Sequence, residues 1–244
     1  MLHPRILIAP TPAEAGRLAA DQFEALIQAN PACVIGLATG STPLHLYREL
    51  IAREKAGKLD FTRVRSANLD EYKGLAPDHA QSYRRFMQEN LFDHICIKPE
   101  NTIVPDGLAE DVSAMCQAYE KQIEDWGGVD LQLLGIGHDG HIGFNEPSDS
   151  FDLGTHCVDL TEETIDANKR FFASRDEVPR QAYTMGVRTI MLARKVLMVV
   201  SGKDKAEIIR KAFFGPVTPQ VPASILQMHP DFILVADEDA LSLV

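Results

Sequence analysis

Three titratable side chains, Asp139, His141 and Glu146, are crowded among glycines in GIGHDGHIGFNEP, residues 135–147. Glycines at 135, 137, 140 and 143 permit tight turns and close backbone approach to a ligand. A histidine between two carboxylates can be oriented, kept basic and given a proton route, which is the equipment of acid–base catalysis. Metal binding is the main competing chemistry, since His138, Asp139, His141 and Glu146 are all potential ligands. Their spacing differs from HExxH on a helix, and carbonyl isomerisation runs on a carboxylate and a histidine without a metal. A Ser-His-Asp hydrolase is disfavoured, because no GxSxG elbow is present.

Two further segments carry candidate chemistry. NLDEY, residues 68–72, puts two adjacent carboxylates, Asp70 and Glu71, at the end of an apparent strand, where a turn or capping role competes with a catalytic one. ATGSTP, residues 38–43, sets Thr39, Gly40, Ser41 and Thr42 ahead of a helix expected to begin at Pro43. Hydroxyls, a close-turning glycine and the positive end of a helix suit a phosphate, although a plain Ser/Thr N-cap uses the same residues. With neither GxxxxGK[ST] nor GxGxxG spacing, the segment suits a small phosphoester better than a nucleotide. The best cationic partners are Arg170, in NKRFF, and Lys205, in SGKDKAEII, with Lys203 a weaker rival of Lys205. By residue type alone each is a solvated surface charge.

The elements that must bring these segments together are written in an alternating rhythm. RILIA at 5–9 precedes a helical pattern over 13–28, and CVIGL at 33–37 precedes one over 44–55. Further strands are expected around 64–67, in LQLLG at 131–135, KVLMVV at 195–200 and DFILVA at 231–236. This rhythm predicts a doubly wound, mostly parallel α/β sheet, Rossmann-like, with ligands at the carboxyl ends of its strands. Thr11, Pro12 and Glu14 supply an N-cap, a first-turn proline and a capping-box glutamate. Within 109–126, Val112, Met115, Cys116, Tyr119, Ile123 and Trp126 fall on one inward helix face.

A chain of 244 residues, 45% hydrophobic and 24% charged, is expected to form one domain over 1–244. Its 24 Lys and Arg against 35 Asp and Glu give a net charge of -11, which disfavours nucleic acid and anionic membranes as partners. The longest apolar runs are strand-sized and MLHPRILIAP lacks the apolar stretch of a signal peptide, so a cytoplasmic location is expected. Cys33, Cys96, Cys116 and Cys157 form no CxxC pair and are expected to be reduced thiols.

LATGSTP, NLDEY, LGIGHDGHIGFNEP and GKDKAEI together resemble the glucosamine-6-phosphate deaminases, in order and spacing over nearly the whole chain. The looser GxGxDGH also occurs in 6-phosphogluconolactonases, whereas the ending GFNEP is similar to the deaminases. The resemblance implies conversion of glucosamine 6-phosphate and water to fructose 6-phosphate and ammonium, with no organic cofactor and no catalytic metal. Matched by motif, it makes Asp70 the base that carries a proton between C2 and C1 through an enolamine. It makes His141 the acid–base group at the ring oxygen, oriented by Asp139 and Glu146. The phosphate then falls to Thr39, Gly40, Ser41, Thr42, Arg170 and Lys205, under a lid at residues 161–179 that substrate orders.

A 6-phosphogluconolactonase-like hydrolase and a non-catalytic sugar-phosphate sensor are the alternative readings. Larger, allosterically activated bacterial members of the family carry a basic pair where this chain has His156 and Val158, and a longer C-terminal end. That departure counts against activation by N-acetylglucosamine 6-phosphate and against the accompanying hexamer. It leaves a homo-oligomer of another kind open.

Overall fold

A computed structural model describes residues 4–244, the side chains of residues 163, 167 and 171 excepted. The apolar runs of the sequence become most of the strands of a seven-stranded sheet, to which the polar RSAN and the two-residue TI add the rest. The strands are β1 (Arg5–Ala9), β2 (Val34–Leu37), β3 (Arg65–Asn68), β5 (Thr102–Ile103), β6 (Leu131–Leu134), β9 (Lys195–Val200) and β10 (Phe232–Asp237). Their order is β1-β10-β9-β6-β2-β3-β5 and every neighbouring pair is parallel. Residues of β2, β6 and β10 are buried throughout, as expected of central strands covered on both faces. The expected doubly wound arrangement is the observed one.

Helices α1 (Pro12–Ala29), α2 (Leu44–Lys55), α3 (Tyr83–Asn90) and α4 (Val112–Asp125) follow strands in the first half. α5 (Glu162–Asn168), α6 (Val187–Met191) and α7 (Ala206–Phe214) complete the set. Thr11 Oγ1 accepts the Glu14 amide at 3.2 Å with Pro12 in the first turn, so the anticipated N-cap of α1 forms. Glu14 itself turns to Arg17, whose Nε lies 2.8 Å away. In α4 the predicted face is core: Met115, Cys116, Tyr119 and Ile123 are buried, with Val112 and Trp126 partly so.

Two features differ from the expectation. α2 spans Leu44–Lys55 as the helical pattern over 44–55 predicts, but Pro43, expected as its first residue, sits in the capping position. NLDEY is also not a simple loop. Residues Asp70–Tyr72 form β4, which joins β8 (Gln181–Thr184) and β7 (His156–Asp159) in a second, antiparallel sheet of order β4-β8-β7. A three-residue strand is too short to show periodicity, and its pairing partner, with Asp70 opposite Thr184, lies far along the chain. This small sheet has its own core, in which Tyr72, Phe144, Leu160, Ile165, Val178 and Ala182 are buried.

Candidate active site

Four loops leave the carboxyl ends of neighbouring central strands: residues 39–43 after β2, Leu69 and Asp70 after β3, residues 135–147 after β6, and residues 201–205 after β9. They meet around one cavity, as the rule for open parallel sheets requires. Thr39, Gly40, Ser41, Thr42, Asp70, Asp139, His141, Arg170 and Lys205 all line it, so nine of the ten predicted site residues share one chamber.

At one end of the cavity is the proposed phosphate cradle. Tyr47, fully buried on α2, donates its hydroxyl to the Ala38 carbonyl at 2.5 Å and fixes the start of the loop. No side chain caps α2, so residues 39–42 line the cavity ahead of a helix end whose partial positive charge favours an anion. Lys205 reaches in from the turn after β9 and donates to the Ile136 carbonyl at 3.0 Å. Desolvation lowers its pKa, opposed by the charges of Asp204 and Asp139.

On the cavity wall is Asp70, only 7% exposed, with Oδ1 lacking a hydrogen-bond partner among the described residues. Burial first, and the neighbouring Glu71 charge second, push its pKa up to about 8. Glu71 points elsewhere and accepts the backbone N–H groups of Tyr72 at 2.8 Å and of Tyr83 and Arg84 at 2.9 Å each. Glu71 therefore anchors the first turn of α3, and Asp70 alone of the DE pair meets the cavity.

His141 lies with Nδ1 2.8 Å from Asp139 Oδ1, and the same oxygen accepts the His141 amide at 3.0 Å. Burial raises the Asp139 pKa, but the bonds and charge of His141 outweigh it and leave the carboxyl below its usual range. A Cβ on Gly137 would fall 2.2 to 2.6 Å from three imidazole atoms, so the ring packs directly on glycine backbone. Gly143 has φ 60°, and a Cβ there would meet Thr184 Oγ1 at 2.7 Å and Asp70 Oδ2 at 3.6 Å. That glycine is what lets the 135–147 loop pass beside Asp70.

The loop is stapled to β8: Thr184 Oγ1 accepts the Phe144 amide at 3.0 Å, and Asn145 Nδ2 donates to Ile142 and Met185 carbonyls at 2.8 Å each.

Glu146 requires a correction. The expectation placed it beside His141 as a second orienting carboxylate. Its Oε1 instead accepts the Thr164 hydroxyl at 2.5 Å and the Thr161 hydroxyl at 3.3 Å, and Glu146 is absent from the residues lining the cavity. It ties the loop to the segment 161–179. His138 pairs with Asp204, its Nε2 2.7 Å from Oδ2. Of the four side chains considered as metal ligands, Asp139 and His141 pair with each other, whereas His138 turns to Asp204 and Glu146 to Thr161 and Thr164. Among the described residues no three His, Cys, Asp or Glu are gathered as metal ligands.

The expected lid segment comprises α5 and two turns, Lys169–Phe171 and Arg175–Glu177. Ile165, Val178 and Phe172 pack it onto Tyr72 and Phe144, and it brings Thr164, Asn168 and Arg170 to the cavity. Tyr83, Leu69, Phe144, Thr164 and Asn168 also line the cavity and were not anticipated. Tyr83 follows the α3 N-cap Ser82, a position without a sequence signal for a ligand.

Comparison with known proteins gives a consistent picture. Residues 11–234 match the family described as glucosamine-6-phosphate isomerases/6-phosphogluconolactonase. Glucosamine-6-phosphate deaminase of Clostridium perfringens strain 13 is 52% identical over 240 residues, 98% of this chain and 99% of that enzyme. The deaminase of Lachnoclostridium phytofermentans is 54% identical over 231 residues, 95% and 98% of the two chains. The structure of a monomeric glucosamine-6-phosphate deaminase superposes with a TM-score of 0.95 at 42% identity, covering 98% of this chain and 100% of that one. A 6-phosphogluconolactonase from Trypanosoma brucei, 19% identical with a TM-score of 0.79 over 99% of each chain, shares the fold.

Proposed function

The chain belongs to the family of glucosamine-6-phosphate isomerases and 6-phosphogluconolactonases, and within it we propose a glucosamine-6-phosphate deaminase in which Asp70 is the base. The reaction converts glucosamine 6-phosphate and water to fructose 6-phosphate and ammonium. Relatives of that name align with this chain over nearly its whole length at about half identity. The observation that carries the catalytic reading is Asp70 itself, a buried carboxylate with one oxygen unpartnered among the described residues, in the same cavity as the cradle of residues 39–42.

The phosphate docks on residues 39–42 with Lys205 and Arg170, and this remote binding fixes the sugar's reacting carbons. His141, held by Asp139, moves a proton at the ring oxygen and opens the pyranose. Ionised Asp70 then removes the C2 proton of the open-chain amino aldehyde, giving an enolamine, and returns the proton to C1. The resulting C2 iminium takes up water and releases ammonium, leaving the ketone. A base raised toward neutral pH is matched to such a C–H proton transfer. Glu146 serves the site through the lid, where its bond to Thr164 holds α5 against the FNEP segment.

Every group in this scheme comes from one chain. Four free cysteines suit a reducing, cytoplasmic setting, and among the described residues no helix is long and apolar enough to cross a membrane. The test is ammonium and fructose 6-phosphate release from glucosamine 6-phosphate, run beside hydrolysis of 6-phosphogluconolactone. Equimolar ammonium and ketose without lactone hydrolysis is the expected result; lactone hydrolysis alone refutes the deaminase reading.

A further inference from the structure

The exposed His138–Asp204 pair belongs to no step above, yet it stands beside the cation of the cradle. His138 Nε2 is 2.7 Å from Asp204 Oδ2, and its other ring nitrogen, Nδ1, is 3.3 Å from Lys205 Nζ. Ionised Asp204 can only accept, which places the ring proton on Nε2. An ammonium can only donate, which leaves the Nδ1 lone pair to receive it. The two contacts therefore agree on one neutral tautomer, and in it His138 is a wedge between Asp204 and Lys205.

Lys205 has three donors. One goes to the Ile136 carbonyl at 3.0 Å and a second to His138 Nδ1, so the direction of the third is set. The base of this arrangement is also held. Gly202, with φ 99°, donates its amide to both Asp237 oxygens at 3.0 Å, and the Lys205 amide returns to the Gly202 carbonyl at 3.1 Å. A flexible four-carbon side chain is thereby reduced to one pose, with its remaining donor available to the cavity shared with residues 39–42.

We propose that His138 is a positioning residue for phosphate recognition, acting through Lys205 by holding its ammonium in the pose that meets the substrate phosphate. The inference rests on the proposed assignment of Lys205 to the phosphate. An exposed pair such as His138–Asp204 adds little stability by itself, so its effect is on the geometry of Lys205. Loss of one such orienting bond corresponds to about a five- to tenfold weaker binding step.

The test is steady-state kinetics with glucosamine 6-phosphate and competitive inhibition by inorganic phosphate, on His138→Ala, His138→Asn, Lys205→Ala and the double variant His138→Ala/Lys205→Ala. His138→Ala is expected to raise KM and the phosphate inhibition constant together, with the loss falling on KM rather than on kcat. His138→Asn, whose carboxamide oxygen replaces the Nδ1 acceptor, is expected to recover most of it. In the Lys205→Ala background, removing His138 is expected to cost nothing further. An undiminished effect of His138→Ala in that background overturns action through Lys205. Normal binding in His138→Ala beside weakened binding in Lys205→Ala overturns the His138 inference alone. Normal binding in Lys205→Ala overturns the phosphate assignment and this proposal with it.

Discussion

Asp139 grips His141 twice with one oxygen, at the amide and at ring Nδ1, 3.0 and 2.8 Å away. The amide contact is a hydrogen bond that sets the backbone turn, and the ring contact stands the carboxylate beside the imidazole. In the proposed mechanism the two residues form a dyad whose second member moves the proton at the ring oxygen.

Replacing Asp139 with Asn keeps an oxygen for the amide but removes the negative charge beside the His141 ring. We predict a fall in kcat of about 10² to 10⁴, the range associated with one placed acid–base group. KM for glucosamine 6-phosphate is expected to move much less, since the phosphate cradle is untouched. Steady-state kinetics check this; an equal loss in binding contradicts it.

Activity should follow the ionisation of Asp70. Its free-enzyme pKa is pushed up to about 8, so kcat/KM is expected to rise with pH through that region as the base loses its proton. With Asp70 placed at C2 by the proposed mechanism, the substrate ammonium on that carbon would stand beside the carboxylate and favour its charged form, so the limb in kcat should appear at lower pH. A pH profile of both constants tests the order of the two limbs.

Asp70 also links stability to pH. Its ordinary pKa of 3.8 in the unfolded chain rises to about 8 when buried, so the folded state holds a proton that the unfolded state has released. The stability associated with that proton is fully present below pH 4 and is lost as pH rises toward 8. Asp70→Asn escapes this loss. Urea titrations are expected to show the variant gaining on the parent from pH 5 to pH 9.

Glu71 contributes the second cause of the raised Asp70 pKa while anchoring α3 through three amides. Glu71→Gln should therefore shift the kcat/KM limb to lower pH. It should also destabilise the fold by about 1–3 kcal/mol as the buried anchor weakens. The same profile and a urea titration measure the two effects separately.

Much of this was legible in the sequence, and the limits of that legibility are physical. Central strand segments such as VLMVV in β9 and FILVA in β10 are continuous apolar runs because both faces are covered, so the parallel sheet follows from pattern alone. The clustering of Asp139 and His141 survives folding because a glycine at 137 lets the loop close on itself. Glu146, near His141 along the chain, bonds instead to Thr161 and Thr164, partners that no local spacing reveals. Tyr83 and β4 were invisible for the related reason that their roles depend on partners remote in sequence.

The central claim is that Asp70 moves the C–H proton. It is tested most directly by measuring ammonium release from glucosamine 6-phosphate by Asp70→Asn beside the parent enzyme, with substrate binding measured on the same preparations. Carboxamide keeps the shape of the side chain and cannot act as the base. The account predicts ammonium release lowered by roughly 10³-fold or more, as expected on removal of an essential proton-transfer group, with binding within a few-fold of the parent. Turnover by Asp70→Asn within tenfold of the parent, or binding lost in step with turnover, would contradict it.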